Sequence, residues 1–157
     1  MKRSTLCTQL KFSAIEDASG GLTIPASGAG GSWIVKLPSR EFDGVPENEF
    51  SMMKLAAMMG MNVPAIDLVE MDAIKNIPDG IEQFGANAFI IERFDRLSDG
   101  TRVQIEDFAQ VFGVYAEDKY KTANMRNIAQ VIAAEGSSED LNEFVHRLTF
   151  SMIVGNG

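Results

Sequence analysis

Gly31-Ser32-Trp33-Ile34-Val35-Lys36-Leu37-Pro38, followed by Val45-Pro46-Glu47-Asn48-Glu49-Phe50, is the stretch on which the reading of this chain turns. Trp33 to Leu37 is an aromatic and β-branched run ended by a proline, so it reads as a strand. Pro46 opens a helix, and Glu47 and Glu49 bring early negative charge that suits the positive end of the helix dipole. A single lysine, Lys36, stands in the strand between Val35 and Leu37. Such a lysine either faces solvent or is aimed into a cleft, where it can hold an anion.

Upstream, Lys11 to Ile15 alternates polar and apolar side chains, Ser19-Gly20-Gly21 signals a turn, and Leu22 to Ile24 can return as a hairpin strand. Three antiparallel strands are therefore expected in the first 40 residues, with Ala26 to Ser32 as a loop. The glycines of that loop match no phosphate-binding spacing. Downstream, the helix is expected to run to Gly60, with Phe50, Met53, Leu55, Ala56 and Met59 on one side. Met52, Met53, Met58, Met59 and Met61 read as core filler. Ala65 to Met71 and Ala88 to Phe94 read as further strands, separated by turn residues from Asn76 to Gly85. After the Ser98-Asp99-Gly100 turn the pattern becomes helical: Ile105 to Phe112, Asn124 to Ala134, and a helix capped near Ser137 that carries Leu141, Phe144, Val145, Leu148 and Ile153. The layout is α+β, sheet-rich first and helical second, with the boundary between residues 96 and 104.

Composition narrows the function. The 157 residues are 45% hydrophobic, enough for a core. The net charge of −8, from 14 basic and 22 acidic residues, argues against direct binding of nucleic acid or anionic membrane by charge. One cysteine, Cys7, and one histidine, His146, exclude an internal disulfide, a Cys-rich zinc site and a multi-histidine metal site. His146 lies mid-helix and reads as a surface or packed residue, so neither Cys7 nor a serine has a base at hand. No apolar run is long enough to cross a bilayer and the start is not a secretion signal, so the expected compartment is the cytoplasm.

The order of hairpin, lysine strand, acidic helix and further strands is that of a protein-kinase small lobe, where a strand lysine paired to a helix glutamate meets the nucleotide phosphates. Beyond that order, several spaced motifs resemble the HipA family of serine/threonine kinase toxins. They are the two runs quoted first, then Gly60-Met61-Asn62-Val63-Pro64, Phe89-Ile90-Ile91-Glu92-Arg93-Phe94-Asp95-Arg96, Glu106-Asp107-Phe108-Ala109-Gln110, Lys119-Tyr120 and Ile153-Val154-Gly155-Asn156-Gly157.

The resemblance implies a nucleotide-binding small lobe over 1–98 and the start of a helical large lobe over 99–157. Gln9-Leu10-Lys11 is similar to the family's phosphate-loop step, and Ser4 falls at the place of its autophosphorylated serine. Lys36 corresponds to the phosphate-holding lysine and Glu49 to its helix neighbour. Glu92, Arg93 and Phe94 correspond to the hinge, whose backbone would meet the adenine edge, with Asp95 and Arg96 closing it by an ion pair or a turn. Cys7 and Thr8 stand where the family's loop has a glycine, which implies weak nucleotide binding. The catalytic Asp and the magnesium ligands are expected after Gly157, so ATP and magnesium are the implied cofactors but this stretch would be inactive alone. The whole protein would transfer the ATP γ-phosphate to Ser or Thr of a translation factor or aminoacyl-tRNA synthetase, and a HipB-like antitoxin would be its partner. The alternative reading is a non-catalytic module that engages an antitoxin or another protein. The apolar residues Phe144, Leu148, Phe150, Met152 and Ile153 would favour self-association.

Overall fold

A computed structural model describes residues 9–18, 20–26, 30–81, 84–97, 99–114 and 124–155. Ser4, Cys7, Thr8, Lys119, Tyr120, Asn156 and Gly157 lie outside the described residues. The chain is α+β and divides into two compact units: Met1–Met59 with Val63–Arg102, and Gly60–Asn62 with Val103–Gly157.

The first unit is built on a six-stranded sheet. Its strands are β1 (Lys11–Glu16), β2 (Leu22–Thr23), β3 (Trp33–Lys36), β4 (Ile66–Glu70), β5 (Ile74–Lys75) and β6 (Asn87–Glu92). Their order across the sheet is β4-β6-β3-β1-β2-β5. The three strands expected at the start are present, and β1 pairs antiparallel with both β2 and β3. Two features were not foreseen. Met71 leaves the strand for a short 3-10 helix (Met71–Ala73), and the two-residue β5 then pairs parallel with β2. Asn76, in the left-handed region at φ 63°, turns the chain after β5 and donates from Nδ2 to the Ile24 carbonyl at 3.0 Å.

Residues opposite one another across a sheet share a face. Ala14, Val35, Ala88 and Ile90 alternate onto one face and meet Leu22, Ile24, Met71 and Ile74 in the core. The other face of the central strands then carries Lys11 and Ser13 of β1, Ile34 and Lys36 of β3, and Phe89 and Ile91 of β6. Helix α1 (Val45–Met58) packs on β6 and β4.

The buried stripe of α1 corrects the sequence reading. Only Pro46 and Ala56 are buried in it, while Leu55 and Met59 are exposed and Met58 is 83% exposed. At 3.6 residues per turn, Pro46, Glu49, Phe50, Met53 and Ala56 fall on one side, and Leu55 and Met59 fall opposite. Glu49 therefore sits in the sheet-facing stripe. Met58 and Met59 are not core filler; Met61 and Met71 are.

Gly31 shows how tightly β3 enters the sheet. It has φ +94°, and a Cβ there would lie 2.3 Å from the Ala14 carbonyl oxygen. Gly20, in the β1–β2 turn, has φ +84° but no atom of the described residues within 4 Å of an added Cβ. Gly20→Ala meets only the left-handed penalty of roughly 1–2 kcal/mol. Gly31→Ala adds a backbone clash, so it should lose about 1–3 kcal/mol more in chemical denaturation. Equal losses for the two variants would contradict this reading of the β1–β3 approach.

The second unit carries α2 (Phe108–Val111), α3 (Met125–Glu135) and α4 (Ser138–Ile153). The helix expected from Ile105 starts only at Phe108, because Asp107 caps it: its carboxylate accepts from the Gln110 N–H, and the Gln110 side chain accepts from the Asp107 N–H; it is a single turn, followed by Gly113 at positive φ. Asn124 caps α3, and Ser137 with Asp140 forms a capping box on α4. The Asn62 N–H donates to Glu143 at 3.0 Å, and Arg147 reaches the Asn62 carbonyl, so the short Gly60–Asn62 segment is tied to α4. Val145, Met152 and Ile153 are exposed.

Candidate functional site

Lys36, at the end of β3, points its Nζ at Glu49 Oε2 of α1, 2.6 Å away. Both side chains are about a quarter to a third exposed (30% and 26%), so the pair is open to a ligand on one side. Nζ also lies 5.6 Å from the centre of the Phe89 ring, because Lys36 and Phe89 are partners across β3 and β6. Thus a carboxylate and a ring face hold one ammonium group at a defined place. A second polar contact fixes the helix: Asn87 Nδ2 donates to Glu47 Oε1 at 2.9 Å. Glu47 and Glu49 thereby tie the first turns of α1 to the sheet.

Lys11 stands directly opposite Lys36 across β1 and β3. The Leu37 N–H donates to the Leu10 carbonyl at 2.9 Å, which makes Lys11–Lys36 one of the non-hydrogen-bonded pairs, where side chains come closest. Like charges so placed repel and weaken a sheet. Glu49 is ion-paired with Lys36. Gln9 donates from Nε2 to the Leu37 carbonyl at 3.2 Å, holding the approach to β1 against the end of β3.

At the other end of β3 and β6 the chain leaves the sheet at the Glu92-Arg93-Phe94 segment. The Glu92 N–H donates to the Ala65 carbonyl at 2.8 Å and the Arg93 N–H to the Ser32 carbonyl at 2.7 Å. Phe94 follows the strand, with its side chain 73% exposed. Its N–H has no partner among the described residues, so it is the first backbone donor of the segment open to a ligand. The Arg93 side chain is turned inward: Nε and Nη2 fork onto the two oxygens of Asp95 at 2.8 and 2.7 Å, and Nη1 donates to Ser13 Oγ at 2.7 Å. Arg96 Nη1 adds 2.6 Å to the same carboxylate. Asp95 and Arg96 thus form the ion pair expected there, and Leu97 and Thr101 close a turn beyond it. Asp95 is 8% exposed, and its carboxyl is lowered to about 2, first by the Arg93 hydrogen bonds and then by the charges of both arginines against the opposing cost of burial.

Sequence reasoning missed Phe89, Ser13 and Asn87 as neighbours of these groups. Phe89 and Ser13 follow from strand register, which no local pattern reveals. Glu49 had a signal of its own, a carboxylate in an otherwise apolar helix stripe. An open cavity of about 620 Å³ at the start of β6 is flanked by Glu70 and Asp72. Its carboxylates repel anions, so it is not an alternative phosphate site.

A lysine strand paired to an acid-bearing helix beside an antiparallel sheet is the arrangement expected of a kinase-like small lobe. The family described as HipA-like C-terminal domain matches residues 7–157, and the chain belongs to it. It is 54% identical over 151 residues to "Putative kinase Y4dM" of Sinorhizobium fredii, covering 95% of this chain and 37% of that protein. It is 29% identical over 147 residues to "Putative kinase Y4mE" of the same organism, covering 87% of this chain and 32% of that protein. Its fold is that of HipA from Shewanella oneidensis MR-1, solved with HipB and operator DNA: TM-score 0.63 and 22% identity, covering 98% of this chain and 37% of that one. The chain therefore spans about a third of the length of the relatives it matches. No helix among the described residues is long and apolar enough to cross a membrane.

Proposed function

We propose that this chain is the nucleotide-binding part of a HipA-like protein kinase and that ATP is its ligand. The observation that carries the reading is the Lys36–Glu49 pair with Lys11 facing it across the sheet. An ammonium group that is already oriented loses little freedom on meeting a phosphate. The apolar pair Ile34 and Ile91 lies between the lysines and Glu92-Arg93-Phe94 on the same sheet face and would take the adenine, with the Phe94 N–H, which has no partner among the described residues, meeting its edge.

ATP supplies the transferable γ-phosphoryl group; the residues here bind and orient it. In the whole protein that group would pass to a Ser or Thr hydroxyl of a protein, and translation-related proteins are the proposed substrates. Magnesium would accompany the ATP, with its ligands proposed to come from the whole protein outside this stretch. Ser4 is retained as the proposed autophosphorylated serine. The Shewanella HipA complex with HipB and DNA supports a HipB-like partner for the whole protein. With a charge of −8 on this stretch, DNA contact is assigned to that partner.

The test is displacement of a fluorescent ATP analogue from the 157-residue chain. ATP and ADP should displace it and adenosine should do so poorly, because the lysines bind the phosphates. Lys11→Ala should weaken ATP about tenfold, the value of one partly solvated charge-assisted contact. Equal displacement by ATP and adenosine would remove the phosphate site from the account.

A further inference from the structure

We infer that Arg93 is a positioning residue that fixes the distance between the hinge and the phosphate-facing strand β1, acting through Ser13. The inference rests on the nucleotide-binding reading and adds a part to it. Arg93 is anchored at three points. Its backbone N–H is on Ser32, at the entrance to β3; its Nε and Nη2 are on Asp95, beyond the hinge; and its Nη1 is on Ser13, in β1. Ser13 is two residues from Lys11 and shares its face. The guanidinium therefore bridges from the hinge end of β6 past β3 to the strand that carries a phosphate-facing lysine.

The chemistry requires arginine. A planar fork satisfies both oxygens of Asp95 and still directs a third N–H sideways; the compact ammonium group of lysine cannot do both. The clamp is also rigid. Asp95 is held from its other side by Arg96, which donates to both its carboxylate and its backbone carbonyl. The guanidinium has no freedom to follow a moving β1, so β1 is held to it. A ligand that touches only the phosphate end does not sense this spacing. A ligand that must reach from the hinge to the lysines does.

The experiment is calorimetric titration of the 157-residue chain and its Ser13→Ala and Ser13→Thr variants with ATP and, separately, with inorganic tripolyphosphate. Ser13→Ala removes the β1 end of the clamp and leaves the Arg93–Asp95 pair intact. ATP affinity should fall about tenfold, the equivalent of one hydrogen bond to a charged group at the low end of its range. Tripolyphosphate affinity should stay within twofold, and Ser13→Thr, which keeps the hydroxyl, should restore ATP binding. Unchanged ATP affinity in Ser13→Ala overturns the inference. So does an equal loss for both ligands, which would mean a general effect on the sheet. A wild-type chain that binds neither ligand removes the nucleotide reading itself, an outcome separate from both of these.

Discussion

Asp95→Ala should lower the stability of the first unit by about 3 kcal/mol, seen as an early unfolding transition in urea. The carboxylate is nearly buried and takes hydrogen bonds from Arg93 and Arg96, whose side chains are 20% and 13% exposed. Removing it leaves two guanidinium groups facing each other with little water to replace the lost partner. Breaking a buried pair from one side costs about 3–5 kcal/mol, and the partial exposure of the arginines places this case near the lower bound. Replacing the cluster wholesale would cost less, because no orphaned charge would remain. A loss below about 1 kcal/mol, the range of a surface ion pair, would show that the cluster is solvated and not structural.

The same group sets an acid response. Its carboxyl titrates at about 2 in the folded chain against an ordinary value of 3.8. A lowered folded value means that the stabilisation is complete above about pH 4 and is lost as the pH falls towards 2. The linked contribution is about 1–2 kcal/mol once solvent screening is allowed for. Asp95→Asn should therefore flatten the stability profile between pH 4 and 2 relative to the parent chain. An unchanged slope in that window, measured by urea unfolding at each pH, would contradict the assignment.

Lys36→Ala should weaken ATP binding by roughly tenfold to a hundredfold, the loss of about 1.5–3 kcal/mol expected for a hydrogen bond to a charged phosphate. It also strands Glu49 in a half-buried place, adding a carboxylate that repels the ligand. Glu49→Gln is the informative contrast. It keeps the lysine and its charge while loosening its direction, so its loss should be smaller than that of Lys36→Ala. If charge alone held the phosphate, Glu49→Gln would strengthen binding by removing a negative group. Circular dichroism of both variants separates loss of binding from loss of fold.

The sheet and its helix were readable because their signals are local. Trp33 to Lys36 is rich in β-formers, Pro46 marks the helix start, and glycines at the β1–β2 turn and near the end of α1 mark reversals. What stayed hidden depends on pairing. The parallel contact of the two-residue β5 with β2 has too few residues to leave a pattern. The outward side of α1 was misread because methionine and leucine at Leu55 and Met59 look like core by type, while helical angle puts them opposite Pro46 and Ala56. The Lys36–Glu49 pair was anticipated as a correspondence of motifs; its ring support from Phe89 and the facing Lys11 needed the register of three strands. Arg93 shows the same limit. Its place at the end of the last strand was readable, but its reach to Ser13, 80 positions earlier, was not.

The most direct measurement is calorimetric titration of the 157-residue chain with ATP, run beside Lys36→Ala. Saturable binding at one site, weakened at least tenfold by Lys36→Ala, is the result predicted for a nucleotide-binding fold centred on the Lys36–Glu49 pair. A flat titration for the parent chain, or binding that Lys36→Ala leaves unchanged, would contradict it.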